Sequence, residues 1–189
     1  MMNNLPRVSI IAAIGKNREL GKEDRLLWEI PEDAKYFRDM TRGHVNIMGR
    51  KTYESLLHYY KGKPMPKRVS VVVTRDPEYK AADGVFVLTN MKEAIAFAKK
   101  KEVEISQVED YKGARDTRSQ EAEVFNIGGG QIFALGLSFA DRLYLTFVDG
   151  EYSEADAFFP EFSEFKKVIN EQKSSGNGYT YIFKTLERG

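Results

Sequence analysis

Hydrophobic and polar positions along this chain follow two periods, one typical of strands and the other typical of helices. Eight runs rich in β-branched or other apolar residues predict strands. Helical periodicity lies between several of these runs. The predicted strands are RVSIIAAI, HVNIMG, RVSVVVT, GVFVL, EVFNI, RLYLTFV, FKKVINEQ and YTYIFKTL, and the predicted helices are residues 31–42, KTYESLL, MKEAIAFAKKK and GQIFALGLS.

The order of these elements predicts the fold class. Strands that alternate with helices need crossover connections, which produce a mainly parallel sheet covered on both faces. The last two strands are joined by SSGNGY, in which Asn177-Gly178 is a strong hairpin signal. We therefore predict one α/β domain over residues 1–189, with an eight-stranded mostly parallel sheet, an antiparallel C-terminal edge hairpin and about four helices on both faces.

The polar segment 102–122 interrupts this pattern. Its sequence, EVEISQVEDYKGARDTRSQEA, is only weakly periodic. Such a composition is typical of segments that lack a buried face of their own. We predict a surface insertion or a partly disordered loop here.

The helix that begins at Pro31 carries one carboxylate on its apolar face. At about 100° per residue, Asp33 lies on the same side as Phe37 and Met40, whereas Glu32 lies on the opposite side. Asp33 could simply interact with the helix dipole, which stabilises a first-turn anion by roughly 0.3–1 kcal/mol. An inward carboxylate, however, costs several kcal/mol unless it has a partner. The alternative is therefore that Asp33 faces a ligand.

Three segments place glycine, hydroxyl or cationic residues where a predicted strand ends. Phosphate groups bind at this position in open α/β sheets, and glycines let backbone N–H groups approach them. The glycine cluster matches neither a Rossmann fingerprint nor a P-loop, so a plain tight turn and solvated arginines remain the alternative. The segments are Gly49 to Thr52, Thr74 with Arg75, and Gly128 to Gly130.

Composition and charge exclude several classes of function. The formal net charge is +1, and no Lys/Arg run exceeds three residues, which argues against nucleic-acid binding. The chain has no cysteine, and His44 and His58 are isolated, so we expect no disulfide and no metal site. The apolar run VSIIAAI is too short to span a bilayer. We expect a cytoplasmic monomer without membrane or nucleic-acid partners.

Taken together and in order, these motifs resemble the dihydrofolate reductase family over nearly the whole chain. The resemblance implies an eight-stranded sheet with four main helices. It also implies that NADPH donates hydride to 7,8-dihydrofolate, which gives tetrahydrofolate for one-carbon metabolism. The motifs are IAAI, LLWEIPEDAKYF, IMGRKTYESL, the Pro-Lys-Arg before a β-branched strand, IGGGQIF and LYLTFVDG.

The resemblance also implies roles for the matching residues on the substrate side. Asp33 would bind the pterin ring, with Trp28 and Thr146 supporting it through water and hydroxyl contacts. Arg68 would pair with the glutamate α-carboxylate in a bidentate, charge-assisted geometry that lysine cannot reproduce. The pterin and aminobenzoyl pocket would be lined by Ile11, Phe37, Leu56 and Ile127.

On the cofactor side, the resemblance implies three groups of contacts: to the nicotinamide, to the pyrophosphate and to the adenosine 2′-phosphate. Family members also hold the peptide bond between the first two glycines cis. The residues that would contact the cofactor are Ala13, Leu20, Gly49, Arg50, Lys51, Thr52, Thr74, Arg75, Gly128, Gly129, Gly130, Gln131 and Ile132.

Three features depart from the family pattern. Leu27 stands where the family usually has proline, Ala34 replaces a larger apolar residue of the pocket, and extra residues follow Lys101. These departures bear on rate, affinity and inhibitor selectivity, because none of them removes a group that the reaction needs.

Two other functions are consistent with the same motifs. One is a pyrimidine reductase of riboflavin synthesis, which shares the fold and NADPH, and the other is a non-catalytic protein that binds NADPH or folate. Asp33 together with Trp28 and Arg68 favours folate over a ribosylated aminopyrimidine. Turnover of NADPH with each substrate separates the three functions.

Overall fold

The β-branched runs form the central sheet of the computed structural model, which describes residues 5–189. The first four residues of the predicted domain, 1–4, lie outside this range. The strands are β1 (Arg7–Ile14), β2 (Glu19–Lys22), β3 (Arg25–Leu26), β4 (Val45–Gly49), β5 (Val69–Val73), β6 (Phe86–Leu88), β7 (Glu123–Asn126), β8 (Arg142–Val148), β9 (Ala157–Phe158), β10 (Lys167–Gly176) and β11 (Tyr179–Glu187).

Five helices connect these strands. The helices are α1 (Pro31–Thr41), α2 (Arg50–Tyr59), α3 (Met91–Ile105), α4 (Glu109–Lys112) and α5 (Gly130–Gly136), with 3₁₀ turns at Thr117–Ser119 and Leu137–Phe139. Pro31 occupies the first turn of α1, where its missing N–H costs no hydrogen bond. Asn90 caps α3 by accepting a hydrogen bond from the Glu93 backbone N–H at 3.1 Å, as its spacing predicts.

The eight predicted strands all belong to one mostly parallel sheet, which confirms the predicted fold class. The strand order is β10-β11-β8-β1-β7-β4-β5-β6. β1 pairs in parallel with β7 and β8, and β4 pairs in parallel with β5 and β7. Every residue of β4 and β5 is buried, as expected for central parallel strands with helices on both faces.

The antiparallel edge is the C-terminal hairpin that the sequence predicts. β10 and β11 pair up to Gly176 opposite Tyr179, so the loop contains only two residues. Both have positive φ, +50° at Asn177 and +83° at Gly178, which is the geometry of a type I′ turn. β11 also pairs with β8, and this pairing joins the hairpin to the parallel part of the sheet.

A small second sheet is not predicted by the sequence. Its order is β3-β2-β9, and its strands contain only two to four residues. Strands this short do not show a period of two, so the hydrophobic pattern does not predict them. The sheet joins the segment after β1 to the segment after β8, and both segments border the candidate site.

About half of the segment 102–122 is helical, so the alternative of a loop is wrong. It begins inside α3 and continues through α4 and a 3₁₀ turn. Most of its polar residues are exposed, but Glu102, Arg115 and Ser119 are buried. The Glu102 carboxylate is fully buried and accepts hydrogen bonds from Arg115 at 2.7 Å and from the Val45 backbone N–H at 2.8 Å. The ring of His44, also fully buried, lies 2.9 Å from Glu102. That this segment is an insertion stays a prediction.

Candidate active site

The strand ends predicted to bind phosphate meet at one edge of the sheet. Gly49, the last residue of β4, pairs with Val73 at the end of β5. The Gly49 backbone N–H donates to the Gly128 carbonyl at 2.7 Å. Because parallel strands end at the same edge, the three segments form one groove at the carboxyl ends of β4, β5 and β7.

Two glycines of this groove stand where a side chain would meet neighbouring atoms. Gly128 has φ of +89°, and a Cβ at this position would lie 2.4 Å from the Phe133 ring. A Cβ on Gly130 would lie 3.2 Å from the Phe158 carbonyl and 3.7 Å from the Leu20 side chain. The Gly128-Gly129 peptide bond is cis, as the resemblance implies.

Cationic and hydroxyl side chains surround the groove. Arg50 is exposed and lies 3.9 Å from Glu54, and Lys51 is 3.1 Å from Asp24 in the turn between β2 and β3. Arg75 is exposed and forms no ion pair with any residue in the range 5–189. The groove therefore presents positive charge that only exposed, weak ion pairs offset.

Not every residue predicted to contact the cofactor has its side chain in the groove. Ile132 is buried in the core, where its Cγ1 would lie 2.9 Å from a Cβ on Gly49. Gln131 is exposed. Ala13 and Leu20 are each 8% exposed, and Ala13 packs beside Trp28.

Asp33 lies at the start of α1, half-buried and opposite β8. Burial raises the pKa of its carboxyl, and a hydrogen bond with Thr146 offsets part of this rise. Thr146 is 1% exposed and pairs with Ala13 of β1 in the sheet. Nearby, Trp28 is 5% exposed, and its Nε1 is a buried donor without a partner among the described residues.

The residues predicted to line the substrate pocket do belong to one cluster. Ile11 and Ile127 are buried in it, and the half-buried Phe37 and Leu56 pack against it. This cluster is bounded by α1 on one side and α2 on the other. Ala34 is exposed, although the helical pattern places it on the apolar face.

Arg68 lies at the far end of α1 from Asp33 and is 8% exposed. Its guanidinium donates to Oγ1 of Thr41 at 3.0 Å, to the Arg38 carbonyl at 2.7 Å and to the Pro66 carbonyl at 2.8 Å. All three acceptors are neutral, and burial lowers the pKa of Arg68 to about 10. The group stays charged at neutral pH, so it is a buried cation with two N–H groups left for an anion.

Thr41 is the residue at this site that the sequence did not single out. The helical pattern places it on the inner face of α1, and it is fully buried. The signal in the sequence was that Thr41 places a hydroxyl among the apolar residues of this helix face. Nothing in the sequence near Thr41 points to Arg68, because the two residues are far apart along the chain.

Comparison with known proteins decides the family. Residues 7–188 match the profile described as dihydrofolate reductase. The chain belongs to the dihydrofolate reductase family. It is 36% identical over 185 residues to the dihydrofolate reductase of Bacillus subtilis, a match that covers 96% of this chain and 94% of that one. Dihydrofolate reductase type 3 of Salmonella typhimurium is 33% identical over 186 residues, with 96% and 98% covered.

A solved structure is similar over the same length. Dihydrofolate reductase from Enterococcus faecalis, complexed with NADP(H) and RAB-propyl, superimposes with a TM-score of 0.76 at 26% identity, and the match covers 97% of this chain and 96% of that chain. These matches confirm the predictions of dihydrofolate reductase as the family, of NADP-dependent oxidoreduction as the activity and of NADPH as the cofactor. No helix within residues 5–189 is long and apolar enough to cross a membrane.

Proposed function

We propose that this dihydrofolate reductase uses Asp33 to bind and polarise the pterin and Arg68 to bind the glutamate tail. One observation carries the proposal: α1 holds a half-buried carboxylate at its first turn and, through Thr41, a buried guanidinium at its last. Thr41 lies eight positions after Asp33, or about 12 Å along the helix axis. This spacing suits a ligand with a basic heterocycle at one end and a carboxylate at the other.

The charges at the two ends support this orientation. Arg68 is a buried cation without a carboxylate within 4 Å among the described residues, although buried charges in proteins are normally paired. Two free N–H groups match a carboxylate in bidentate geometry. Asp33 has the opposite charge, and its raised pKa means that ionisation without a partner is unfavourable. A ligand that donates N–H groups to Asp33 removes that cost.

Asp33 would act on the reaction through its field and its hydrogen bonds. Its carboxylate accepts from the 2-amino group and a ring N–H of the pterin, which fixes the ring in the pocket. Its negative charge favours protonation at N5, where positive charge is needed before hydride can reach C6. Thr146 forms a hydrogen bond with the Asp33 carboxylate, and the Trp28 indole N–H is a further buried donor without a partner among the described residues.

The groove at the ends of β4, β5 and β7 fits NADPH. Gly129 and Gly130 are partly exposed and carry no Cβ, so their backbone can approach a pyrophosphate. Arg50, Thr74 and Arg75 would contact a 2′-phosphate. When bound, NADPH supplies the hydride that reduces C6 of the substrate. The buried side chains of Ile11 and Ile127 keep water from the pocket beside the groove.

The decisive experiment is turnover by the purified full-length chain. We expect NADPH oxidation with 7,8-dihydrofolate and none with a ribosylated aminopyrimidine. Oxidation with the pyrimidine alone would assign the chain to the riboflavin pathway, and binding of NADPH without oxidation of either substrate would make it a binding protein.

We further propose that the enzyme acts as a monomer in the cytoplasm. The supporting observation is that one sheet and its flanking helices carry the proposed site residues. A molecular mass of about 21.6 kDa in solution, the mass of a single chain, is the expected result of light scattering. A dimer that persists at nanomolar concentration would contradict it.

A further inference from the structure

The indole of Trp28 is held from one side by a loop rather than by the sheet or by α1. The ring of Tyr152 meets it edge-on, with the ring centroids 5.1 Å apart and the planes at 64°. Tyr152 belongs to the loop between β8 and β9. The placement of this aromatic pair therefore depends on what fixes that loop.

Glu19, at the start of β2, fixes it. The Glu19 side chain is buried, with the residue only 3% exposed, and its Oε1 accepts a hydrogen bond from the Tyr152 backbone N–H at 3.3 Å. The same carboxylate accepts from the Asn17 backbone N–H at 2.7 Å and from the Asn17 side chain at 3.1 Å. One carboxylate thus joins the turn after β1 to the loop after β8.

The charge state of Glu19 is suited to this task. Burial by itself raises the pKa of its carboxyl, but the hydrogen bonds from backbone N–H groups, including that of Tyr152, hold the pKa below its ordinary value. Glu19 is therefore ionised at neutral pH. No lysine or arginine of the described residues lies within 4 Å of it, so neutral N–H donors alone stabilise the anion.

The packing around this carboxylate leaves no spare room. A Cβ on Gly15 would lie 2.5 Å from Oε2 of Glu19 and 3.0 Å from the Tyr152 ring. Glycine at this position therefore allows the two side chains to approach the backbone of the turn. An ion pair, Lys16 with Glu151 at 3.1 Å, also spans these two loops, but both side chains are about two-thirds exposed. Exposed pairs of this kind contribute little.

We propose that Glu19 and Tyr152 are positioning residues for dihydrofolate reduction: Glu19 ties the two loops together, and Tyr152 holds the Trp28 indole against the pocket. The link to turnover rests on the function proposed above for Trp28. The contact between Tyr152 and Trp28 does not depend on that function, because it concerns only the position of the indole. Neither residue touches the reacting atoms.

Trp28 is the only tryptophan of the chain, so its fluorescence reports on this link directly. In Glu19→Gln, the amide presents N–H groups to N–H donors and the charge is lost. We expect red-shifted emission, stronger acrylamide quenching and a kcat that falls roughly tenfold to a hundredfold, as for small misplacements in active sites. KM for NADPH should change much less. Glu151→Gln is the matched control, since it breaks the exposed ion pair between the same loops and should leave emission and kcat unchanged.

A second pair of variants tests the proposal even if the Glu19→Gln protein does not fold. Tyr152→Ala should give the same emission change and loss of kcat, and Tyr152→Phe, which keeps the ring, should rescue both. Parental emission in Glu19→Gln or in Tyr152→Ala, or an equal effect of Glu151→Gln, would overturn the proposal. If emission shifts while kcat stays parental, and Trp28→Phe is also fully active, then the indole is positioned as described but the proposed role of Trp28 in turnover is wrong.

Discussion

Arg68 donates from Nε to Oγ1 of Thr41 at 3.0 Å, which makes the last residue of α1 the support of a buried guanidinium. Lysine cannot reach Thr41, the two carbonyls and a carboxylate together, because it has one nitrogen. We therefore expect Arg68→Lys to raise KM for dihydrofolate roughly tenfold to a hundredfold, the equivalent of about 1.5–3 kcal/mol for a charge-assisted contact. The change in kcat should be small.

Two comparisons make this test specific for the glutamate tail. A pterin substrate without the glutamate should be reduced equally well by the parent and by Arg68→Lys. Arg42→Lys, a change at an exposed neighbouring position, should leave KM unchanged. An equal loss with the tailless substrate would mean that Arg68 supports the pocket rather than the carboxylate.

The exposed cations of the groove predict a preference for NADPH over NADH. Charge-assisted hydrogen bonds from Arg50 and Arg75 to the 2′-phosphate contribute roughly 1.5–3 kcal/mol each, so the ratio of kcat/KM for the two cofactors should exceed tenfold. The double variant Arg50→Ala, Arg75→Ala should lose most of this ratio, whereas Lys173→Ala on the distant hairpin should keep it. Undiminished discrimination in the double variant would exclude the assignment.

The buried network around Glu102 predicts a large effect on stability away from the site. Glu102→Ala leaves Arg115 as a buried charge without its partner, which costs about 3–5 kcal/mol. Glu104→Ala, on the same helix, removes only an exposed ion pair with Lys101 and should cost less than about 1 kcal/mol. Urea denaturation of both variants measures the difference. Equal stabilities would show that the segment 102–122 is not held by this network.

Sequence patterns predicted the long elements well and the contacts between distant residues poorly. The central strands β4 and β5 appear as runs of apolar residues because all of their residues are buried, and burial imposes that pattern. Glu102 gave no such signal, because a charged residue late in a helix normally faces solvent. Its burial depends on Arg115 and His44, which lie far from it in sequence or on another element. Asp33 could be singled out because a carboxylate on the apolar face of a helix departs from the pattern, whereas Thr41 needed the folded position of Arg68.

The raised pKa of Asp33 predicts that its ionised carboxylate lowers the stability of the folded protein without ligands. Between the ordinary pKa and the raised one, the folded protein binds more protons than the unfolded chain, so stability falls as pH rises through this interval. Asp33→Asn has no such dependence. Without ligands, we expect Asp33→Asn to have the higher Tm at neutral pH, and the difference should shrink on acidification below the ordinary range of aspartate. A variant less stable than the parent at pH 7 would contradict a carboxylate whose desolvation Thr146 offsets only in part.

The most direct test of the central claim is the activity of Asp33→Asn at neutral pH. Asparagine keeps the shape of the side chain but cannot stabilise a protonated pterin, so kcat/KM for dihydrofolate should fall by about 10²–10⁴ while NADPH still binds. The residual rate should climb toward acid pH, where solvent protonates the substrate. Glu32→Gln, at the exposed neighbouring position, should stay near the parental rate. If Asp33→Asn kept parental kcat/KM at neutral pH, or if Glu32→Gln were the more damaging change, Asp33 would be only a first-turn anion of α1 and the proposed mechanism would be wrong.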